Sequence, residues 1–161
     1  TEIYSRQGRT YRVPEFSALI GLNQFNNIQK IIKHRKKICD IYDSELNKSN
    51  IFSTLTSYSN IERSTWKHIT LINSEKIKRD DLSKILKQDY NIIINWAYDP
   101  PIHLQPIYKK ILNTEEGMLP KSEKIMTKHF HLPLHMLITE EDAKFITKSL
   151  IEVANKLLAD K

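Results

Sequence analysis

Residues 66–97 read WKHITLINSEKIKRDDLSKILKQDYNIIINWA, and the fold class follows from the order of the patterns within them. WKHITLI, residues 66–72, alternates and is rich in β-branched side chains, which predicts a strand. Residues 78–90 place apolar side chains at helical spacing, and Asp80 or Asp81 is the expected N-cap of this short helix. NIIINWA is a second apolar run and predicts a second strand. The order strand, helix, strand indicates a domain that mixes helices with a sheet.

The carboxy-terminal side of this unit continues the mixture of helices and extended segments. Residues 121–128 predict a helix, and HFHLPLHML, residues 129–137, predicts a third extended segment. Thr139 and Asp142 form a T-x-x-D capping box, which predicts that the last helix begins there. This helix is expected to bury one apolar face: Ala143, Ile146, Leu150, Val153 and Leu157.

The amino-terminal side is predicted to be one long helix from about Pro14 to about Asn47. Pro14 suits the first turn of a helix, and Glu15 beside it favours the helix dipole. Residues 49–64 are rich in Ser, Thr and Asn and predict a loop, with a short strand at residues 51–55. Because the helix is longer than a compact domain of this size needs, we expect it to bridge two bodies. Its apolar residues recur at helical spacing: Leu22, Phe25, Ile28, Ile31, Ile32, Ile38, Tyr42 and Leu46.

These elements predict an α+β fold, in which a small, mostly antiparallel sheet is covered by helices on one face. The 161 residues, 40% hydrophobic and 27% charged, are enough for one domain with a core. Three glycines are few, and no Gly-rich phosphate-binding motif occurs. The formal net charge of +6 permits binding to a polyanion without establishing it.

The cysteine content and the lack of a membrane or signal segment indicate the cellular compartment. The single cysteine, Cys39, cannot make an internal disulfide and fits a reducing cytosol, so we expect a cytoplasmic protein. No apolar run approaches the ~20 residues of a membrane helix, and no signal pattern opens the chain. The first residue is Thr1, with no initiator methionine, as expected of a piece of something longer.

Two clusters of charged or metal-binding side chains have a plain structural interpretation beside a functional one. KHRKK, residues 33–37, with Lys30 one turn earlier, is either a solvated helix face or a surface that tracks phosphates; no base-reading side chain is interleaved, which favours the solvated face. His129, His131 and His135 have a spacing that zinc can use, but no cysteine or carboxylate lies close by to complete a shell, so no metal is predicted. No catalytic motif is present either.

The proline-bracketed segment YDPPIHLQPIY, Tyr98 to Tyr108, is predicted to be rigid. Pro100 and Pro101 restrict their own φ angles and those of the residues before them. One interpretation is a tight connection whose His103 is incidentally exposed. The other is a loop that is ordered in advance to place Tyr98, His103 and Gln105 at a pocket.

Several blocks of the sequence resemble one family, in the same order along the chain. GRTYRVPEFSALIGLNQF, residues 8–25, resembles the G-x-N-Y-R-M-x-E-x-x-A-A-x-G-L-x-Q-L segment of the DegT/DnrJ family of sugar aminotransferases that use pyridoxal 5'-phosphate. HRKKICDIYDSEL, WKHITLI, RDDLSKIL, YDPPIHLQPIY, HLPLH and ITEEDAKFI follow as they do in that family's carboxy-terminal part. The resemblance covers nearly the whole chain.

The resemblance implies a domain plan and a reaction. It implies that residues 1–48 are an interdomain segment with a long bridging helix, and that residues 49–161 are the small α+β domain of a fold-type I aminotransferase. The large domain, with the Schiff-base lysine, would precede Thr1, so that no catalytic residue lies in this chain and the fragment alone is inactive. The implied whole enzyme is a homodimer that moves an amino group, usually from glutamate, to a nucleotide-linked keto-sugar.

The resemblance also implies roles for individual residues. Thr10 occupies the position of the family asparagine that reaches the coenzyme phosphate of the partner subunit, and Arg12 matches the arginine of the same motif, whose fork suits anions. His103, with Tyr98 and Gln105, matches the loop that lines the mouth of the active site, where the imidazole would hydrogen-bond or polarise the substrate.

Two other functions stay open at the level of sequence. One is a stand-alone basic binding or interaction module, and the other is a catalytically dead homologue kept as a partner of a full-length enzyme. A module that binds polyanions would show a steep salt dependence. We expect neither a nucleic acid nor a membrane as a partner.

Overall fold

The computed structural model describes residues 12–55, 60–61 and 63–159, so that Thr10 lies outside the described part. Helices and strands are mixed along it, as the predicted α+β class requires. The helices are α1 (Glu15–Asn26), α2 (Ile28–Leu46), α3 (Arg79–Tyr90), α4 (Pro106–Leu112), α5 (Pro120–Met126) and α6 (Glu140–Ala159), and the strands are β1 (Phe52–Thr54), β2 (His68–Ile72) and β3 (His129–Leu132).

The three strands form one antiparallel sheet in the order β1-β2-β3. Phe52 pairs with Ile72, and Thr70 pairs with Phe130, which places these side chains on one face of the sheet. That face is buried, whereas Leu71, on the opposite face, is only half-buried. The sheet therefore has a core face and a second, open face.

The core face of the sheet shares one hydrophobic core with α2, α3 and α6. Tyr42 of α2 is fully buried, and its hydroxyl donates to the carbonyl of Pro133 at 2.7 Å. Each large apolar side chain buried in this way contributes roughly 1.5–3 kcal/mol. The predicted α+β class, with helices covering a small antiparallel sheet, is confirmed.

The last helix follows its sequence signals closely. The Thr139 N–H donates to Asp142 Oδ2 at 2.9 Å, and the Asp142 N–H donates to Thr139 Oγ1 at 3.0 Å. These reciprocal bonds are the predicted capping box. The predicted core residues of this helix are all buried: Ala143, Ile146, Leu150, Val153 and Leu157.

The prediction of a single helix from Pro14 to Asn47 is wrong in one respect, because the helix is interrupted at Asn27. Asn27 has φ −100° and ψ 0°, and its side-chain amide donates to the carbonyl of Asn23 at 2.8 Å. Asparagine competes in this way with the helical hydrogen bonds of its neighbours. The result is two successive helices, α1 and α2.

Two smaller predictions in the strand-helix-strand unit are also corrected. NIIINWA is extended but is not a strand of the sheet, since Asn95 alone bridges to His131. The Ala97 carbonyl accepts a bond from the His129 side chain instead of extending a ladder. Lys78, not Asp80 or Asp81, is the N-cap of α3, and the two aspartates lie in the first turn, where they favour the dipole.

Candidate functional site

The proline-bracketed segment folds into a short turn that leads directly into α4. Residues 102–104 form one turn of 3₁₀ helix, and Pro106 is the first residue of α4, a position that proline favours. The side-chain amide of Gln105 donates to the carbonyl of Pro100 at 2.6 Å. Gln105 thus bonds to its own loop, and local contacts hold the segment that is predicted to be rigid.

His103 is buried and held by a carboxylate that the sequence did not indicate. It is 9% exposed, and its Nε2 lies 2.9 Å from Oε1 of Glu123 in α5. Thr114 Oγ1 donates to the His103 carbonyl at 2.5 Å. The interpretation in which His103 is incidentally exposed is therefore wrong.

Glu123 organises the turn between α4 and α5. Its carboxylate accepts the N–H groups of Gly117 at 3.0 Å and Leu119 at 3.1 Å. Its hydrogen bond with His103, and then the bond from Gly117, hold the pKa of Glu123 below its ordinary value. Gly117 has φ +90°, which a side chain would strain. One carboxylate therefore joins the imidazole of His103 to the backbone of this turn.

A cleft of about 480 Å³ lies beside this arrangement. It is lined by Tyr98, His103 and Tyr108 together with apolar residues such as Met126. The structure thus brings Tyr98 and His103 to one cleft, whereas Gln105, the third residue of the second interpretation, is not among the lining residues. The functional role of these residues stays a prediction. Arg12 is exposed at the start of the described chain.

Arg79 anchors the beginning of the proline segment, and sequence reasoning did not identify it. This guanidinium is buried, donates to the carbonyls of Met126 at 2.5 Å and His129 at 3.3 Å, and forms an ion pair with Asp99. It also lies 4.1 Å from the ring centroid of Trp96, a cation–π distance. In the sequence, Arg79 is only a charged residue next to the predicted N-cap of a helix. No local pattern indicates that one of its partners lies fifty residues away.

The histidines of the H-x-H-x-x-x-H motif include one ring contact, between His129 and His131. His129 Nε2 donates to the Ala97 carbonyl at 2.9 Å, and its ring centroid is 5.4 Å from that of His131. Burial, then the charge of Lys67, lowers the pKa of His131 to about 4. Within the described ranges, no three His, Cys, Asp or Glu residues are grouped to hold a metal ion.

The basic cluster at residues 33–37 is only partly a solvated helix face, since Lys33, Lys36 and Lys37 are exposed but His34 and Arg35 are half-buried. Lys36 forms an ion pair with Asp40 at 2.7 Å, and Lys37 pairs with Glu140 of α6.

Among the helices that the structure describes, none has both the length and the apolar character needed to cross a bilayer.

Comparison with known proteins gives one consistent result. Residues 2–151 match the model of the DegT/DnrJ/EryC1/StrS aminotransferase family. The UDP-4-amino-4,6-dideoxy-N-acetyl-beta-L-altrosamine transaminase of Campylobacter jejuni is 22% identical over 152 residues, which cover 93% of this chain and 39% of that protein. The chain therefore spans about 39% of the length of this curated relative.

Solved structures agree with the family match. A putative sugar aminotransferase, Spr1654 of Streptococcus pneumoniae, superposes with a TM-score of 0.82 at 26% identity, over 90% of this chain and 36% of that one. Helicobacter pylori PseC, an aminotransferase involved in the biosynthesis of pseudoaminic acid, superposes with a TM-score of 0.82 at 20% identity, over 96% of this chain and 41% of that one. The latter similarity concerns the fold alone.

Proposed function

The chain belongs to the DegT/DnrJ/EryC1/StrS aminotransferase family, and from this premise we propose that it is the carboxy-terminal part of a sugar aminotransferase. The whole enzyme moves an amino group from an amino acid, for which we infer glutamate, to a nucleotide-linked keto-sugar, with pyridoxal 5'-phosphate as coenzyme. Residues 1–48 connect the two domains, and residues 49–161 are the small domain. The enzyme works as a homodimer in the cytoplasm.

The observation that carries this proposal is the uncovered apolar surface of α1. No residue of α1 is buried, although the helix is rich in large apolar side chains. Phe16 is 82% exposed, Leu19 is 64% exposed and Phe25 is 72% exposed. A helix that is apolar around its whole circumference belongs inside a larger body. In contrast, α2 buries one face in the core. The described domain thus presents a surface suited to a large domain and a partner subunit.

The described residues do not by themselves fit pyridoxal 5'-phosphate. A phosphate is usually held at a helix N-terminus or in a tight glycine turn. The first turns of α3 and α6 carry carboxylates, which repel phosphate. Gly21 and Gly117, the glycines in the described ranges, have open space where a Cβ would stand, so neither forms a close cradle. We therefore assign the coenzyme, apart from the phosphate contact given to Arg12 below, to a part of the enzyme outside the described residues and derive no step through it.

The contribution of this chain to the reaction is to position polar groups beside the substrate. We assign His103 a hydrogen-bonding role toward the substrate, with Tyr98 and Gln105 on the same loop. Glu123 keeps the His103 ring in one orientation, which lowers the entropy cost of each productive contact. Arg12 and Thr10 are assigned to the coenzyme phosphate, the latter across the dimer. A threonine hydroxyl offers one hydrogen-bond donor there.

A titration of the chain with pyridoxal 5'-phosphate tests this proposal. Absorbance of bound coenzyme should not show tight, stoichiometric uptake by residues 1–161 alone. The complete gene product should bind the coenzyme and aminate a UDP-linked keto-sugar with glutamate as donor. Stoichiometric uptake by the chain alone, or a complete product that has coenzyme but no transaminase activity, would contradict the proposal.

A further inference from the structure

The α4–α5 segment, residues 106–126, is attached to the domain without entering its core. No residue of α4 or α5 is buried, and the same holds for every position from 104 to 128. In contrast, α3 buries three of its side chains: Arg79, Leu82 and Leu86. Because a helix in a protein is held in place mainly by the packing of one face, α4 and α5 lack the contacts that fix α2, α3 and α6.

The cleft of about 480 Å³, called here the His103 cleft, lies between the α4–α5 segment and the proline segment. Tyr98, Ile102 and His103 line it from the proline segment. Tyr108 of α4 and Met126 of α5 line it from the other side. Elements that pack together interdigitate and leave few gaps larger than a water molecule. The two segments are therefore not packed against each other across this cleft.

The apolar face of α4 is exposed. Ile107 is 56% exposed, Ile111 is 63% exposed and Leu112 is 60% exposed. Ile107 and Ile111 are four residues apart and so lie on the same side of the helix. Removing apolar surface from water is favourable, so a closer approach of α4 to the proline segment gains free energy by covering Leu112, which lines the His103 cleft.

Two hydrogen bonds hold the middle of the α4–α5 segment, and both join it to His103. Glu123 Oε1 lies 2.9 Å from His103 Nε2, and Thr114 Oγ1 donates to the His103 carbonyl at 2.5 Å. At the carboxy-terminal end of the segment, Arg79 donates to the Met126 carbonyl. This end is thus fixed to the buried guanidinium, whereas the middle of the segment depends on one histidine.

We propose that the α4–α5 segment is a lid over the His103 cleft and that its two hydrogen bonds with His103 keep the lid closed. When both bonds break, the segment turns about its ends and the cleft widens. Segments with few buried contacts are the parts of a protein that open at the lowest free energy, and lids of active sites are drawn from them. One consequence rests on the proposed function: a substrate that takes the imidazole hydrogen bond from Glu123 also loosens the lid.

Distances between two spin labels measure this motion in the 161-residue chain. The labels are attached to Lys110→Cys on α4 and Lys84→Cys on α3, both at exposed positions. Cys39 is 3% exposed and should stay unlabelled. The reference pair is Lys84→Cys with Lys148→Cys of α6, because α3 and α6 share the core. Pulsed electron resonance should give a broader distribution of distances for the lid pair than for the reference pair.

Variants of the two hydrogen bonds test the role of His103. Glu123→Gln removes the charge from one bond and should raise the ratio of open to closed lid by about tenfold. Thr114→Val removes the other bond, should act in the same direction, and leaves the contacts of Glu123 in place. The control is Glu116→Gln, an exposed carboxylate of the same segment, which should leave the distribution unchanged. Circular dichroism and the reference pair check that the core of each variant is folded.

Three results would overturn the proposal: an unchanged lid distribution in both Glu123→Gln and Thr114→Val, the same change in Glu116→Gln, or equal broadening of the lid pair and the reference pair. The last result would mean that the whole domain loosens and that no lid moves on its own. None of these measurements involves the coenzyme, a sugar or transamination. Failure here is therefore distinguishable from failure of the proposed function.

Discussion

At the scale of single residues, the side chains that organise the site are those with partners distant in sequence. His103 stands out in the sequence because prolines bracket it, but its partner Glu123 lies twenty residues later. Glu123 looks like an ordinary surface residue of a short helix until the fold brings it to the imidazole and to the N–H of Gly117. Local patterns therefore indicate the histidine and miss the carboxylate that orients it.

The Glu123 carboxylate should titrate below the usual range of glutamate. Its folded pKa is lowered, so its stabilising effect is present above the unfolded pKa and is lost as pH falls through the folded value. The amide signal of Gly117, followed by NMR from neutral to acidic pH, should report this titration. A midpoint at or above 4.5, the ordinary value for glutamate, would contradict the assignment. Glu123→Gln should abolish the titration of that signal.

The Cys39 thiol should be unreactive in the folded chain. It is 3% exposed, and burial, followed by the charge of Asp43, raises its pKa to about 12. Because the thiolate is the reactive form, a thiol reagent at pH 8 should label native protein far more slowly than protein unfolded in guanidinium. Equal rates in the two states would show that the thiol is accessible.

At the scale of elements, periodicity predicts a helix well and its interruptions poorly. The capping box at Thr139 and the buried face of α6 lie within one segment, so the sequence contains all the information that positions them. The break at Asn27 depends on one side chain bonding to its own backbone. NIIINWA fails as a strand because the Ala97 carbonyl is taken by a side chain from β3. Both failures come from hydrogen bonds that compete with regular structure.

Arg79 should stabilise the junction of α3, β3 and the proline segment. Arg79→Lys keeps a charge but loses the planar fork that reaches two carbonyls and Asp99. We expect the free energy of unfolding to fall by about 2 kcal/mol, measured by urea denaturation. The matched control is Arg12→Lys at an exposed position, which should change it by less than about 0.5 kcal/mol. Equal effects of the two variants would show that the buried guanidinium of Arg79 contributes no more to the free energy of unfolding than an exposed one.

At the scale of the whole molecule, the chain combines a well-packed core with a surface that no described residue covers. The core joins α2, α3 and α6 to one sheet face, and sequence patterns predict that class correctly. The prediction of one long helix did not separate α1, whose apolar side chains surround the helix, from α2, whose apolar side chains lie on one face and pack into the core. Phe16 is 82% exposed and Ile38 is 0% exposed.

The apolar surface of α1 should make the isolated chain associate. Phe16→Glu together with Phe25→Lys should reduce self-association in analytical ultracentrifugation, because both side chains are exposed. The free energy of unfolding of the monomer should change by less than about 0.5 kcal/mol for each substitution. A strong loss of stability would mean that α1 packs on this same chain, against the proposed role as an interface.

The central claim is that this chain is the part of an aminotransferase that does not bond to the coenzyme. Its most direct test is borohydride reduction of the complete gene product loaded with pyridoxal 5'-phosphate, followed by peptide mass spectrometry. The account predicts that the pyridoxyl group is found on a lysine outside Thr1–Lys161. Stoichiometric modification of a lysine within these residues would contradict it.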